Sequence, residues 1–489
     1  MMERASKAAW WSAIEIAARF GVQVAVMVLL ARLLSPSDFG LIAMVLVFTS
    51  MGALLADSGF GTALIQRQRT TDDDETTVFL FTTGTALLLA SLLWLLAPAI
   101  ATYFHQPRLA ALIRVIVMVL PLGALAAVPD ALLTMQLRFK ERTKAELFAS
   151  IASAVVALGL AWGNYGVWSL VWQAIVLIGM RALLLWVYSR WRPRGHFRMA
   201  SFRSLSGFGI YMLMSGLLDT LTLRLQALLI GKLFDTAQLG YYTLAQNTQQ
   251  APTSFMGNLL NRVGLPVFSA VGDQPHKLLG ALRLSMRLAM FIFVPSMLGL
   301  AVIARPLTLL LYGPKWTPAA SLLSILALSA ALWPLHVLNL AAVSAQGRSD
   351  LFFRLSLVKK TLAIGLILLG SLGGPVAIAG AVLAASVLSA VINAHYSKVL
   401  LGYGIAAQIA DQRATFGLSL LAAATGWSVI HWLPASTMTT ALAIFLAAAL
   451  YLTMAAVTKN SALGELVTLL KNLRGGKAPT GAKKPTVSS

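Results

Sequence analysis

Cysteine is absent from all 489 residues, which removes disulfide frameworks, thiolate metal sites and cysteine nucleophiles at once. Charge is scarce too: Asp, Glu, Lys and Arg make up 11% of the chain, with 17 acidic residues against 38 basic ones. No Walker lysine motif, HExxH or GxSxG signature occurs, so the chain holds no phosphate-cradling loop with which to spend ATP itself. No catalytic residue, resident metal or cofactor is expected. Long polar segments are missing as well. The largest are the basic stretch Arg190 to Ser204 and the tail Lys459 to Ser489, whose Gly, Pro, Lys and Ser content predicts disorder. Neither has room for an extramembrane catalytic domain.

What is abundant is apolar. Hydrophobic residues are 58% of the chain and mean hydropathy is +0.78, far outside the soluble range. The apolar runs are about twenty residues long and rich in Leu, Ala and Val without alternation, so they predict helices rather than a barrel. The expectation is an all-α polytopic membrane protein with about fourteen transmembrane helices, near 10–34, 39–65, 76–101, 108–133, 144–163, 166–189, 205–233, 238–268, 279–304, 317–344, 351–372, 375–400, 414–433 and 437–457. The first run lasts about 25 residues, too long for a cleavable signal, and is expected to remain as a span.

The net charge of +21 follows the membrane rather than a nucleic acid. With the N-terminus inside, the opposite side carries only Arg32, Arg108, Lys232, Arg305 and Lys315. The cytoplasmic segments hold clusters such as Arg138, Lys140, Arg142 and Lys144, then Arg190, Arg192, Arg194, Arg198 and Arg203. Cytoplasmic retention of Lys and Arg predicts both termini inside and an even number of spans. Trp10, Trp11 and Trp191 at inner ends and Trp94, Trp162, Trp168, Trp316 and Trp432 at outer ends agree.

An internal repeat organises the chain. A shift of 200 lays Leu29 to Leu34 on Leu229 to Phe234, the polar run Ser35 to Asp38 on Asp235 to Gln238, and Phe39-Gly40 on Leu239-Gly240. Further along, Tyr103, Pro121-Leu122 and Gln136 to Arg138 resemble Tyr312, Pro334-Leu335 and Gln346 to Arg348. Six spans per copy make the repeat parallel, related by an axis along the membrane normal. The expected divisions are an N-lobe at 1–200, a C-lobe at 201–402, a lipid-facing pair at 403–458 and a basic tail at 459–489.

Ionisable residues inside spans carry the functional signal, since each costs roughly 2.5–3.5 kcal/mol at a helix centre on insertion scales. Glu15, Arg19 and Gln23 share one face of span 1, and Arg19 lies about 14 Å in at 1.5 Å per residue. The 200-residue shift matches Asp219 to Arg19, with Arg224 five residues on. Arg19, Arg224, Arg181, Lys359 and Lys360 together suit a diphosphate or acidic sugars, because guanidinium binds phosphate bidentately. Glu15 and Asp219 are candidates for ion coupling or gating. Several have a plainer reading: Glu15 neutralises Arg19 within its own helix, and Arg181, Lys359 and Lys360 snorkel to the cytoplasmic headgroups. His336, beside the Trp333-Pro334 kink, is a proton relay or a packed neutral histidine. The run Asp72, Asp73, Asp74, Glu75 fits a helix cap better than a magnesium site. Asp57 and Asp130 suit structural hydrogen bonds.

These residues resemble a family. Ala5 to Ile14, the turn from Leu30 to Leu41, Asp57-Ser58-Gly59-Phe60-Gly61, Ile65-Gln66-Arg67, Tyr242 to Asn247, Leu265 to Phe268 and Tyr312 to Trp316 look like the polysaccharide-transporter branch of the multidrug/oligosaccharidyl-lipid/polysaccharide flippase superfamily. The likeness, nearest to the Wzx-like colanic acid exporter type, runs from about residue 5 to 400. It implies two six-helix lobes forming a V-shaped cleft and working by alternating access. The implied cargo is an undecaprenyl-diphosphate-linked oligosaccharide for exopolysaccharide or lipopolysaccharide synthesis. The implied location is the bacterial inner membrane, with membrane lipids and polysaccharide polymerase or export machinery as partners and no nucleic acid. Similar lipid II flippases carry cationic residues on spans 1 and 7, where Arg19 and Arg224 fall, and use the last two spans as a groove for the lipid tail. The alternative within the superfamily is a multidrug or organic-cation antiporter, disfavoured because such a site should be net acidic. A membrane polymerase is disfavoured by the missing outer loop.

Overall fold

The structure is a computed structural model that describes residues 21–67, 70–272, 274–346, 349–434 and 436–474. Helices α1 to α19 follow in chain order. They are α1 (Gly21–Leu33), α2 (Pro36–Asp57), α3 (Phe60–Gln66), α4 (Asp72–Tyr103), α5 (Arg108–Ile116), α6 (Val119–Met135), α7 (Phe139–Trp162), α8 (Trp168–Ser189), α9 (Met199–Leu233) and α10 (Thr236–Ala270). After them come α11 (Pro275–Val302), α12 (Ala304–Tyr312), α13 (Ala319–Ala331), α14 (Trp333–Ala345), α15 (Ser349–Gly370), α16 (Pro375–Leu401), α17 (Ile405–Trp432), α18 (Thr437–Val457) and α19 (Ser461–Arg474). No strand occurs among the described residues. Eleven helical stretches among them are long and apolar enough to cross a membrane. The expected count of about fourteen therefore rests on three more helices, α1, α9 and α10, which carry or adjoin the charges singled out in the sequence.

Helix contacts use small residues while large apolar side chains face outward. On α7, Ala145, Ala149, Ser153, Ala157 and Ala161 recur every fourth residue and are buried, α8 being the main neighbour, while Phe148, Ile151 and Val155 are exposed. On α4, Thr82, Ala86 and Ala90 are buried and Leu87, Leu88 and Leu95 exposed. This arrangement suits a hydrocarbon solvent, in which association depends on close packing and not on hiding leucine.

Three spans read as continuous are broken; the one near 108–133 divides at Val117 and Met118, between α5 and α6. The span after Pro36 divides at Ser58 and Gly59, whose φ values of 45° and 74° are left-handed and end α2 before α3 begins. The span near 317–344 divides between α13 and α14 at Leu332, next to Pro334, whose ring nitrogen offers no N–H to the preceding turn. Span 13, expected from 414, begins at Ile405, because α17 keeps the polar Gln408 and Gln412 buried among helices, where hydropathy does not register them. The tail also differs from expectation. Residues 461–474 form α19, whose Ala462, Leu463 and Leu466 pack against Phe291, Leu418 and Tyr451, and whose Glu465 pairs with Arg287.

The chain divides into two compact units. Gln23–Leu244 form the first, with a core of Phe60, Leu64, Val78, Val128 and Leu132 joined by the stacked rings of Phe60 and Phe202. The second, which takes in Ala245–Ser489, is centred on Leu282, Met286, Met290, Leu335 and Leu338. A buried polar cluster ties its helices together. Asn339 donates to Gln408 Oε1 at 3.1 Å, Gln408 returns a bond to Asn339 Oδ1 at 2.9 Å, and Ser397 donates to the same Oδ1 at 2.7 Å. Beside it Tyr403, between α16 and α17, donates to Asp411 at 2.9 Å, and burial next to that carboxylate holds its hydroxyl well above the usual phenol range.

The repeat has a direct structural expression inside the first unit. α1 ends at Leu33 and α2 starts at Pro36; 200 residues on, α9 ends at Leu233 and α10 starts at Thr236. Ser35 caps α2 reciprocally with Asp38, whose Oδ2 accepts from the Ser35 N–H at 2.9 Å. The two starts touch through equivalent residues. A Cβ on Gly40 would fall 1.8 Å from the Thr236 carbonyl oxygen, and one on Gly240 would fall 1.9 Å from that of Pro36. Contact of i with j matched by j with i is what a local two-fold relation produces. Since backbone meets backbone, no rotamer change can relieve the clash. Gly40→Ala and Gly240→Ala are each expected to cost at least about 2 kcal/mol, read as lower thermal stability of the purified protein, whereas Gly84→Ala, whose Cβ meets nothing within 4 Å, should be neutral.

Candidate functional site

Glu15 and Arg19 lie outside the described residues. Asp219, which the 200-residue shift matches to Arg19, and Arg224 are placed on α9. Arg224 sits nine residues before the end of α9, about 14 Å from it at 1.5 Å per residue. Its side chain is half-buried and its Nε donates to Ser50 Oγ on α2 at 3.2 Å. A neutral hydroxyl is thus the partner of this guanidinium among the described residues. Asp219, five residues earlier on α9, is exposed. Two residues beyond Arg224, Gln226 is buried and accepts at Oε1 from the Tyr242 hydroxyl at 2.9 Å, joining α9 to α10.

Arg181 belongs to a different network. Its Nη2 donates to Asp130 Oδ2 on α6 at 3.0 Å, and Arg142 on α7 approaches Asp130 Oδ1 at 2.8 Å. One carboxylate therefore holds two guanidiniums and pins α6, α7 and α8, which is the structural use expected of Asp130. Arg181 and Arg224 share a unit, yet the structure gives each its own partner rather than gathering them.

In the second unit Lys359 on α15 donates to Asn393 Oδ1 on α16 at 2.8 Å. Asn393 in turn is 3.5 Å from the His336 carbonyl oxygen on α14. His336 Nε2 lies 3.1 Å from Ser386 Oγ, and Ser386 donates its single hydroxyl proton to the Ser329 carbonyl at 2.8 Å. Nε2 must then be the donor to Ser386 and carry a proton, and Nδ1 is left buried without a hydrogen bond. Lys360 is half-buried beside Lys359. Asn393, Ser386 and Ser50 were not anticipated. Neutral polar residues in apolar runs carry little weight in a reading built on charge.

The acidic run in the first turn of α4 is engaged in full except for Asp72. Asp74 forms the reciprocal cap with Thr71 and pairs with Arg67 at 3.1 Å. Asp73 accepts from the His196 N–H at 2.8 Å and pairs with Arg198 at 2.7 Å. Glu75 accepts from Trp191 Nε1 at 2.6 Å and from Thr70 at 2.7 Å. These bonds strap the basic stretch 190–198 across the start of α4. Among the described residues no group of three metal-ligating side chains exists.

Three comparisons bear on this arrangement. Residues 29–321 match the family described as polysaccharide biosynthesis protein, and the chain belongs to that family. The succinoglycan biosynthesis transport protein ExoT of Rhizobium meliloti is 25% identical over 96% of this chain and 97% of its own. The lipopolysaccharide biosynthesis protein WzxC of Escherichia coli is 26% identical over 76% of each chain. Among solved structures, the lipid II flippase MurJ in an inward closed conformation superposes with a TM-score of 0.77 at 14% identity, covering 92% of this chain and 99% of that one. An inward-facing multidrug resistance MATE transporter gives 0.59 at 15% identity, over 78% and 94%. These likenesses show a fold shared with both transporters, in a multi-pass membrane protein.

Removing Asp130 separates the two arginine roles. Asp130→Ala leaves Arg142 and Arg181 without their carboxylate and is expected to destabilise by about 1–3 kcal/mol. Arg224→Ala gives up one bond to a neutral hydroxyl and is expected to cost under about 1 kcal/mol. Thermal unfolding of both purified variants checks the contrast.

Proposed function

We propose that this chain is a flippase that carries an undecaprenyl-diphosphate-linked oligosaccharide from the cytoplasmic to the outer leaflet of the bacterial inner membrane, with both termini cytoplasmic. It acts as a transporter and not as an enzyme. The observation that carries the reading is the near end-to-end match to a succinoglycan transport protein, joined to membership of the polysaccharide biosynthesis family and to a fold shared with a lipid II flippase. The MATE likeness concerns the fold alone.

The site chemistry supports the same reading. A half-buried arginine on α9 with only a hydroxyl partner among the described residues keeps most of its five N–H donors for an incoming group. A diphosphate offers charge and bidentate geometry together, and an organic cation would be repelled. In this proposal Arg19 and Arg224 hold the diphosphate, Lys359 and Lys360 add positive potential in the second unit, and Glu15 and Asp219 exchange partners with them as access alternates. Arg181, held by Asp130, contributes potential rather than direct contact. The 1–200 and 201–402 lobes supply the two moving bodies.

Polymer export by cells that carry single substitutions tests the assignment. Arg19→Ala and Arg224→Ala are expected to abolish export while membrane insertion is unchanged, and Arg224→Lys to restore it only partly because the planar fork is lost. Normal export with both alanine variants would overturn the proposed diphosphate site.

A further inference from the structure

Where α2, α5 and α8 begin, the first unit holds a cavity of about 380 Å³ lined by Asp38, Arg108, Asn164, Tyr165, Gly166 and Trp168 among others. It is remote in sequence from Arg224 and takes no part in the diphosphate site. Its lining is mixed in a particular way. Asp38 uses Oδ2 to close the α2 cap, accepting from the Ser35 N–H and Oγ, while Oδ1 makes no hydrogen bond with a described residue. That oxygen faces Gly166, where a Cβ would come within 3.3 Å of it. Arg108 and Asn164 are exposed, and their side chains make no hydrogen bond or ion pair with another described residue. Tyr165 is 60% exposed, its ring lying so close over Gly163 that a Cβ there would meet it at 2.9 Å. Trp168 is half-buried at the start of α8.

A lipid tail would bury the charges of Asp38 and Arg108 against hydrocarbon, and a bare phosphate would leave the rings of Tyr165 and Trp168 without an apolar face to cover them. A hydroxyl-rich ring meets every requirement. Its C–H face covers an aromatic platform, a carboxylate and an amide exchange hydrogen bonds with neighbouring hydroxyls, and a free guanidinium takes a carboxylate substituent bidentately. The volume lies at the small end of ligand pockets and suits one or two sugar rings. We infer that this cavity is a saccharide subsite that holds an acidic sugar residue, with the ring against Tyr165 and Trp168, hydroxyls on Asp38 and Asn164, and the carboxylate on Arg108. It rests on the flippase reading and its orientation, which place the cavity on the outer face, where the glycan head emerges.

Saturation-transfer NMR on the purified full chain in lipid nanodiscs, with free glucuronic acid and free glucose as probes, tests the subsite. Transfer to ring protons of both sugars is expected, stronger for glucuronic acid. Tyr165→Ala should remove it for both, and Arg108→Gln should erase the preference for glucuronic acid while leaving glucose unchanged. Both side chains are exposed, and circular dichroism verifies that the variants fold. Absence of transfer in the wild type, or signals unchanged by both substitutions, would overturn the subsite. The probes carry no lipid and no transport is read, so the result stands apart from the flippase reading. A protein that fails to move lipid-linked glycan but binds these sugars keeps the subsite and loses the flippase role.

Discussion

In hydrocarbon, apolar side chains gain nothing by leaving solvent for protein, so helices must be held by close backbone approach and by polar groups that have nowhere else to bond. The rest of this structure depends on that constraint. The alanine stripe of α7 lets α8 approach, and Gly40 and Gly240 let two helix starts meet backbone to backbone. In the second unit the buried Asn339, Gln408 and Ser397 bond one another across three helices. A single alanine in the wrong place at Gly40 therefore matters more than the loss of an exposed leucine.

The same constraint sorts the charges. Asp130 is engaged by Arg142 and Arg181, Glu465 by Arg287, and Asp73 and Asp74 by Arg198 and Arg67. A charge satisfied by its opposite neighbour builds the protein. Arg224 differs, being half-buried, far from a helix end and paired with a hydroxyl among the described residues. Retaining such a group in a membrane helix is costly, and cargo of opposite charge gives it a use.

Much of the fold was legible because a bilayer imposes simple rules. Apolar runs marked helices, and the 200-residue shift located two matching helix breaks at Leu34–Ser35 and Phe234–Asp235. Family membership came from motifs at turns such as Asp57 to Gly61. What hydropathy could not reveal were features that depend on a partner helix. The early start of α17 was hidden because Gln408 and Gln412 look like loop residues until helices around them bury them. The order of α19 was hidden because the apolar face of a short helix counts only once Phe291 and Tyr451 are there to receive it. The site was legible in part: Arg224 stood out by charge, whereas its partner Ser50, and the Asn393 and Ser386 hydrogen bonds around Lys359 and His336, involve neutral groups common in any membrane helix.

The central claim is that the chain moves a lipid-linked glycan between leaflets, and a leaflet-specific label applied to that intermediate tests it most directly. In cells that lack the protein but keep the enzymes that build the intermediate, the account predicts that the lipid-linked oligosaccharide accumulates in the cytoplasmic leaflet, protected from an impermeant reagent added outside. Its accumulation in the outer leaflet, open to that reagent, would contradict the account.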